Sequence, residues 1–152
     1  MGDILKTIVA LGQATGGSPE LDRMIGMTVV RLPHMHGPIH VFARIDAARI
    51  PNFGCEPFPP YTRRLETAMG LIAVLFPRLE WRLEITRSSG RCWLRPSPEF
   101  SAADLPGNMS APRSFDAAWE SDDALRSAPI AVTKFTLDAA LSVGGRVQVG
   151  SG

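Results

Sequence analysis

The sequence predicts an α+β fold, in which about four helices flank a small, mainly antiparallel sheet of three or four strands. Two observations lead to this fold class. Apolar residues recur at three- and four-residue spacing in four separate segments, as they do in amphipathic helices. Between the last two of these segments, residues 79–86 alternate apolar and polar, and a second short strand at residues 91–95 follows turn residues, as in a central β-hairpin over residues 79–95. Helices and antiparallel strands that occupy separate parts of a chain are typical of α+β domains.

Two short helices are predicted in the first 30 residues. In the first, residues 4–13, the apolar side chains, Leu5 and Val9 included, fall mostly on one side. Gly16 and Gly17 separate it from the second helix, for which Ser18 is a good cap and Pro19 a good first residue. The predicted buried face of this second helix comprises Leu21, Met24, Ile25, Thr28 and Val29.

The segment from Pro60 to Ile85 joins a third helix to a strand. Thr62 is a candidate cap for this helix, because its hydroxyl can accept a hydrogen bond from a free backbone N–H. Pro77 ends the helix, and Ser88-Ser89-Gly90 supplies turn residues between the two strands of the hairpin. Its strands carry Trp81 and Trp93, which we expect to form a cross-strand or diagonal pair. The predicted apolar face of the helix comprises Leu65, Ala68, Met69, Ile72, Leu75 and Phe76, and that of the first strand Leu79, Trp81, Leu83 and Ile85.

The remaining elements are a further strand and a last helix. Alternation at Phe115, Ala117 and Trp119 favours a strand, with a short helix as the alternative, and residues 39–45 could add another strand. The last helix is predicted over residues 128–142, with Ser127 as its cap and an end at Gly144. We therefore expect one domain over residues 1–143 and a flexible glycine-rich tail at 144–152.

Composition narrows the class of protein. With 16 basic and 15 acidic residues, the net charge of +1 lacks the basic excess typical of nucleic-acid-binding proteins. Two cysteines are too few for a disulfide framework, and no segment approaches the roughly 20 apolar residues of a membrane span. We expect a cytosolic protein with reduced thiols and no membrane. Arginines interleave with Glu80 and Glu84 on the polar face of the hairpin, so a solvated face is expected there, and nucleic-acid contact is the alternative.

No catalytic or cofactor-binding motif stands out, but two sets of residues are candidates for a site. The first could bind a metal such as zinc, because imidazole and thiolate are its preferred ligands, although no C-x-x-C or H-E-x-x-H spacing accompanies it. It comprises His34, His36, His40 and Cys55. The second lies in two proline-rich irregular stretches, where apolar side chains either bind a protein partner or fold back to cover the ends of the sheet. It comprises Phe53, Phe58, Phe100, Leu105 and Met109.

Three segments resemble a family of small phage and prophage proteins. They are PELDRMI at residues 19–25, PYTRRLETAMGLI at 60–72 with LEWRLEI following, and SAPIAVTKFTLDAAL at 127–141. The family is described as a phage "ABA sandwich", which implies helices on both sides of a sheet, and has no established activity. The last helix of this chain is less rich in Ala and Leu than the family's, and the stretches at 31–60 and 97–112 are long for it. The matching residues are Glu20, Leu21, Asp22, Ile25, Pro60, Tyr61, Thr62, Leu65, Ala68 and Trp81, with a looser match at Ala128, Ala131, Leu137, Ala139, Ala140 and Leu141.

The resemblance and the absence of a catalytic motif together favour a non-enzymatic accessory protein of phage or prophage origin. It would act in the cytoplasm of a bacterial host by binding a host or phage protein. Inhibition of a defence complex such as CRISPR-Cas is one concrete version of this activity. A small metal-dependent or thiol enzyme using the His34 and Cys55 set is the first alternative. A nucleic-acid-binding module that uses the arginine-bearing hairpin is the second.

Overall fold

The structure, a computed structural model, describes residues 2–31, 52, 55–76, 79–96 and 115–151. Within these ranges, residues 2–3, 96 and 142–151 are described by their backbone alone. The described elements confirm the α+β class: four helices accompany a three-stranded antiparallel sheet in the order β1-β2-β3. In chain order they are α1 (Gly2–Gln13), α2 (Pro19–Val30), α3 (Leu65–Leu75), β1 (Leu79–Ile85), β2 (Ser89–Pro96), β3 (Phe115–Glu120) and α4 (Ala124–Ser151). The further strand considered at residues 39–45 lies outside the described residues.

The predicted hairpin is confirmed, but its turn is tighter than the sequence suggested. The Thr86 N–H donates to the Ser89 carbonyl at 2.8 Å, which leaves only Arg87 and Ser88 in the loop. The turn expected at residues 88–90 begins one residue later and is one residue longer than this loop. Because side chains alternate between the two faces of a strand, a register shift of one residue exchanges the faces.

The two hairpin tryptophans consequently lie on opposite faces of the sheet, and the predicted Trp81–Trp93 pair is wrong. Trp81 lies opposite Leu94, which is buried, and packs against the core. Trp93 lies opposite Arg82, which is exposed. One tryptophan therefore adds bulk to the core, and the other lies on the face that points away from it.

The last helix is at the centre of the fold. α4 packs against α1, α3 and all three strands, so side chains on most of its circumference are buried, as expected for a central helix. It begins at Ala124 rather than at residue 128, because the Asp123 carboxylate accepts the Arg126 N–H at 3.1 Å. Ser127, the predicted cap, lies inside the helix and donates its hydroxyl to backbone carbonyls. The buried residues include Ala128, Val132, Thr133, Phe135, Thr136, Leu137, Ala139 and Ala140.

The helix end predicted at Gly144 is also wrong, since α4 continues to Ser151. A glycine in a helix costs only about 1 kcal/mol relative to alanine, so Gly144 and Gly145 lower helix stability without imposing an end. The flexible tail at 144–152 and the domain limit at 143 stay predictions.

The first two helices confirm the predicted cap but only part of the predicted apolar faces. Ser18 is the N-cap of α2, where its hydroxyl accepts the Leu21 N–H at 3.1 Å, and Pro19 is the first helical residue. Leu5 and Val9 of α1, predicted to pack, are 47% and 55% exposed. The reason is that α1 contacts α4 and α2 through a narrower arc of its surface. That arc comprises Ile4, Thr7, Ile8 and Leu11.

The sheet has one face against the helices and one open face. The helix-facing side carries buried Leu79, Cys92 and Leu94, with Phe115 and Trp119 packed against the same core. On the other side the strand residues are exposed, apart from Ser89 and Trp93, which are half-buried. The phage-family resemblance implies helices on both sides of a sheet. Within the described residues they cover one side.

Candidate functional site

The open face of the sheet is the most distinctive surface of the described residues. Alternation along three paired strands puts every second residue on it, and the register aligns these residues in rows across the sheet. Trp93 lies in the middle row, between Arg82 of β1 and Asp116 of β3. The open face, as named below, comprises Glu80, Arg82, Glu84, Arg91, Trp93, Arg95, Asp116, Ala118 and Glu120.

Trp93 is held on the open face by two arginines of its own strand. The guanidinium carbons of Arg91 and Arg95 lie 5.3 Å and 5.5 Å from its ring centroid. Both distances are within the range of cation–π attraction, which contributes about 0.5–1 kcal/mol at an exposed site. Arg91 also lies 3.5 Å from Asp116 on the neighbouring strand. The indole is therefore a positioned, partly accessible apolar group surrounded by charge.

The charges of the open face are mixed. Three arginines (82, 91 and 95) are accompanied by four carboxylates (80, 84, 116 and 120), so the formal charge of the face is −1. Nucleic-acid binding depends on neutralising phosphates with an excess of basic groups. Interfaces between proteins instead have energetic centres enriched in Trp and Arg, with charged groups at the rim. The composition of the open face corresponds to the second kind of surface.

Two segments of the family resemblance meet in a buried hydrogen-bond network. Asp22 of α2 is 1% exposed, and its carboxylate accepts from the Thr62 N–H (2.8 Å), the Thr62 hydroxyl (2.6 Å) and the Arg63 Nε (2.8 Å). The Ser18 N–H donates to the Thr62 hydroxyl at 3.1 Å. This network joins the start of α2 to the turn before α3 across 40 residues of chain. It satisfies buried polar groups and holds two helices together, which is a structural role.

The predicted cap of the third helix is therefore wrong. The N-cap of α3 is Arg64, which makes no side-chain cap hydrogen bond, and the helix begins at Leu65. Thr62 lies in the preceding turn, where its hydroxyl is engaged by Asp22 and by the backbone of Ser18. A local sequence pattern identifies residues able to cap a helix, but here the Thr62 hydroxyl donates to the carboxylate of Asp22, which is distant in the chain.

Tyr61, next to this network, is a buried phenol. It is 3% exposed, and its backbone carbonyl accepts a hydrogen bond from the Thr133 hydroxyl of α4 at 3.3 Å. Burial raises the pKa of Tyr61 from 10.0 to about 12, and the charge of Asp22 acts in the same direction. Tyr61 therefore stays neutral at physiological pH and packs as part of the core.

Phe58 is the one member of the predicted protein-binding set inside the described residues. Its ring packs on Gly26 of α2 so closely that a Cβ built on Gly26 would lie 2.2 Å from a ring carbon. Phe58 also lines a cleft of about 490 Å³ with residues 57–61 and one side of α3. The ring thus folds back against a helix, while one part of it stays available in the cleft. Phe53, Phe100, Leu105 and Met109 lie outside the described residues.

The metal-binding candidates are described only at Cys55, which is exposed. His34, His36 and His40 lie outside the described residues. Among the described side chains, no group of three or more His, Cys, Asp or Glu residues is arranged to hold a metal ion. The second thiol, Cys92, is buried on the helix-facing side of β2, and burial followed by the charge of Asp116 raises its pKa to about 12. Because the thiolate is the reactive form, burial and the raised pKa make Cys92 an unreactive thiol.

The sequence pattern that could have revealed the open-face tryptophan is Arg91-Cys92-Trp93-Leu94-Arg95. A period of two puts Arg91, Trp93 and Arg95 on one face and the apolar Cys92 and Leu94 on the other. The Asp22 network had no comparable local signal. It depends on a contact between residues 40 positions apart.

Within the part of the chain that the structure describes, no helix has both the length and the apolar character needed to cross a membrane. No protein-family model, curated protein or solved structure matches the chain. The resemblance to phage proteins stays a prediction, and the geometry of the described residues is what supports a function.

Proposed function

We propose that this chain is a non-enzymatic binding protein that docks on another protein through the open face of its sheet. The observation that carries the proposal is Trp93, held between Arg91 and Arg95 on the side of the sheet away from the helices. A tryptophan on a face of otherwise exposed side chains exposes apolar surface to water, and binding a partner would bury that surface.

The surrounding charges define the kind of partner. Because acidic and basic groups alternate across the rows of the open face, a partner must present both signs of charge around a central apolar contact. A protein surface can meet this requirement, whereas a phosphate backbone cannot. The phage-family resemblance extends the proposal to an accessory protein that acts on a host or phage protein in the bacterial cytoplasm, with a defence complex such as CRISPR-Cas among the candidate partners.

The experiment compares protein capture by the wild type and by Trp93→Ala from a bacterial host lysate. Leu125→Ala is the matched control, because Leu125 is 61% exposed at the start of α4 and is not part of the open face. The expected result is a partner retained by the wild type and Leu125→Ala but not by Trp93→Ala. With the isolated partner, we expect Trp93→Ala to raise Kd at least about tenfold.

Two results would count against the proposal. One is the absence of any partner at micromolar affinity. The other is equal retention by wild type and Trp93→Ala when circular dichroism shows both variants to be folded. A salt-dependent mobility shift with DNA or RNA that is lost in Trp93→Ala would assign the open face to nucleic acid instead.

A further inference from the structure

β3 has a hydrogen-bonding edge with no other strand beside it among the described residues, since it pairs with β2 alone. The Ser121 N–H donates to the Ser88 carbonyl at 3.0 Å. Backbone groups along an antiparallel strand alternate in direction, so those of Ala117 and Trp119 also point towards β2. Every second residue in between therefore directs its N–H and C=O to the free edge. These residues are Asp116, Ala118 and Glu120.

A groove of about 920 Å³ runs along this edge. It is lined by consecutive residues of β3, which belong to both faces of the strand, so it lies beside the strand rather than over one face. One stripe of α4, including Ile130 and Phe135, and the end of α1, including Leu11, form the rest of the lining. α1 packs on α4 and α2, so the layer of helices continues past β3. The groove is therefore located where a fourth strand would lie.

The lining of the groove defines the chemistry of such a strand. Its inner side presents the half-buried Ile130, with Leu11 and Phe135 buried beneath it, beside Arg126 and the Lys134–Asp138 ion pair. The apolar part of this side suits apolar residues at alternate positions. Its outer side is lined by Glu120, and Asp116 lies farther along β3 on the same open face. Positively charged side chains of the added strand would be stabilised next to these two carboxylates. A volume of this size is within the range of protein ligand clefts.

A second copy of this chain fits the same edge less well. Antiparallel pairing of two β3 strands centred on Ala118 places Asp116 of one copy opposite Glu120 of the other, and like charges directly opposite each other are unfavourable. Pairing centred on Ala117 places Asp116 opposite Ala118 and again supplies no positive charge. The acidic outer side of β3 thus favours a basic strand from a different protein.

We propose that the free edge of β3 binds an extended segment of a protein partner, in which apolar residues alternate with Lys or Arg, as a fourth strand. This inference rests on the proposed protein-binding function and names the chemistry of the partner segment. Main-chain hydrogen bonds to residues 116, 118 and 120 would give affinity, and the alternating side chains would give specificity. The open face is continuous with this edge, because the same three residues belong to both.

The test uses a capped synthetic peptide of about seven residues, the length of an ordinary strand, in which valine alternates with lysine. Hydrogen exchange followed by NMR is the first measurement. In the free protein we expect the amides of Ala118 and Glu120 to exchange quickly, and those of Ala117 and Trp119 to be protected by β2. Bound peptide is expected to slow exchange at Ala118 and Glu120 at least about tenfold.

The second measurement is the peptide Kd for two substitutions at one position. Ala118→Pro removes an N–H that points to the free edge, a substitution that edge strands tolerate, and it is expected to raise Kd at least about tenfold. Ala118→Val keeps the N–H and is expected to bind like the wild type. A peptide with glutamate in place of lysine is expected to bind at least about tenfold more weakly.

Equal peptide affinity of Ala118→Pro and wild type would overturn the proposal, as would unchanged exchange at Ala118 and Glu120 at about 1 mM peptide. A dimer that Ala118→Pro abolishes would show that a second copy occupies the edge, and would overturn it too. If the peptide does not bind but a partner is captured in a Trp93-dependent way, the proposal for the β3 edge is wrong and the proposed function stands.

Discussion

Replacement of Asp22 by alanine should strongly destabilise the protein, because the donors that bond to this buried carboxylate would lose their acceptor. Three donors converge on it, two from Thr62 and one from Arg63. A hydrogen bond to a charged group contributes about 1.5–3 kcal/mol. The Arg63 side chain is 48% exposed, so its ion pair is screened by solvent and contributes less than about 1 kcal/mol.

The expected loss follows from these contributions. The two buried bonds from Thr62 would give roughly 3–6 kcal/mol if nothing relaxed. The Thr62 hydroxyl can turn to the Ser18 carbonyl, which lies 3.3 Å away, and this favours the lower end of that range. We therefore expect Asp22→Ala to lower the free energy of unfolding by about 3–4 kcal/mol and Tm by roughly 10 °C. Asp22→Asn, which keeps one acceptor oxygen, should lose roughly half as much.

Urea denaturation followed by circular dichroism measures the effect. Glu66→Ala is the control, because its ion pair with Arg64 at 3.6 Å is exposed on both sides and should contribute less than about 1 kcal/mol. Combining Asp22→Ala with Thr62→Val should give less than the sum of the separate losses, with a coupling of about 1–3 kcal/mol. A loss below about 1 kcal/mol for Asp22→Ala, or additive behaviour of the pair, would refute this account of the network.

Three further predictions concern a glycine, the tyrosine and the cysteines. Gly90→Ala should lower the free energy of unfolding by about 1–3 kcal/mol in urea denaturation, because the new Cβ would lie 2.1 Å from the Trp119 ring. Gly70→Ala on α3, whose Cβ would meet nothing within 4 Å, is the control and should be neutral or stabilising. Tyr61, the single tyrosine, should titrate by ultraviolet absorbance near pH 12. Because the pKa of Tyr61 in the folded protein exceeds the ordinary 10.0, its contribution to folding stability is complete below pH 10 and is lost as the pH rises through 12. A titration midpoint near 10 would contradict the burial of Tyr61. A thiol reagent should label only the exposed Cys55 in the native chain and both cysteines after denaturation. Rapid labelling of Cys92 in the native protein would show that β2 opens.

Most of the secondary structure was predictable because it depends on neighbours in the chain. The Ser18-Pro19 cap, the apolar face of α3, the alternation of β1 and the strand at residues 115–120 follow from spacings of two to four residues. The candidate site was less predictable. Arg91, Trp93 and Arg95 share a face by alternation alone, but the hairpin turn determines whether Trp81 lies on that face too.

The sequence by itself determined the fold class, the order of the elements and which residues alternate on each strand, since these result from local propensity and period. Only the tertiary structure decided that Trp81 and Trp93 lie on opposite faces of the sheet, because a turn shorter by one residue exchanges the faces of the side chains in the following strand. Tertiary structure likewise decided that Thr62 bonds to Asp22 instead of capping α3, and that α4 is buried on most sides. Both depend on contacts between segments far apart in the chain, and the spacing of residues within one segment carries no information about them.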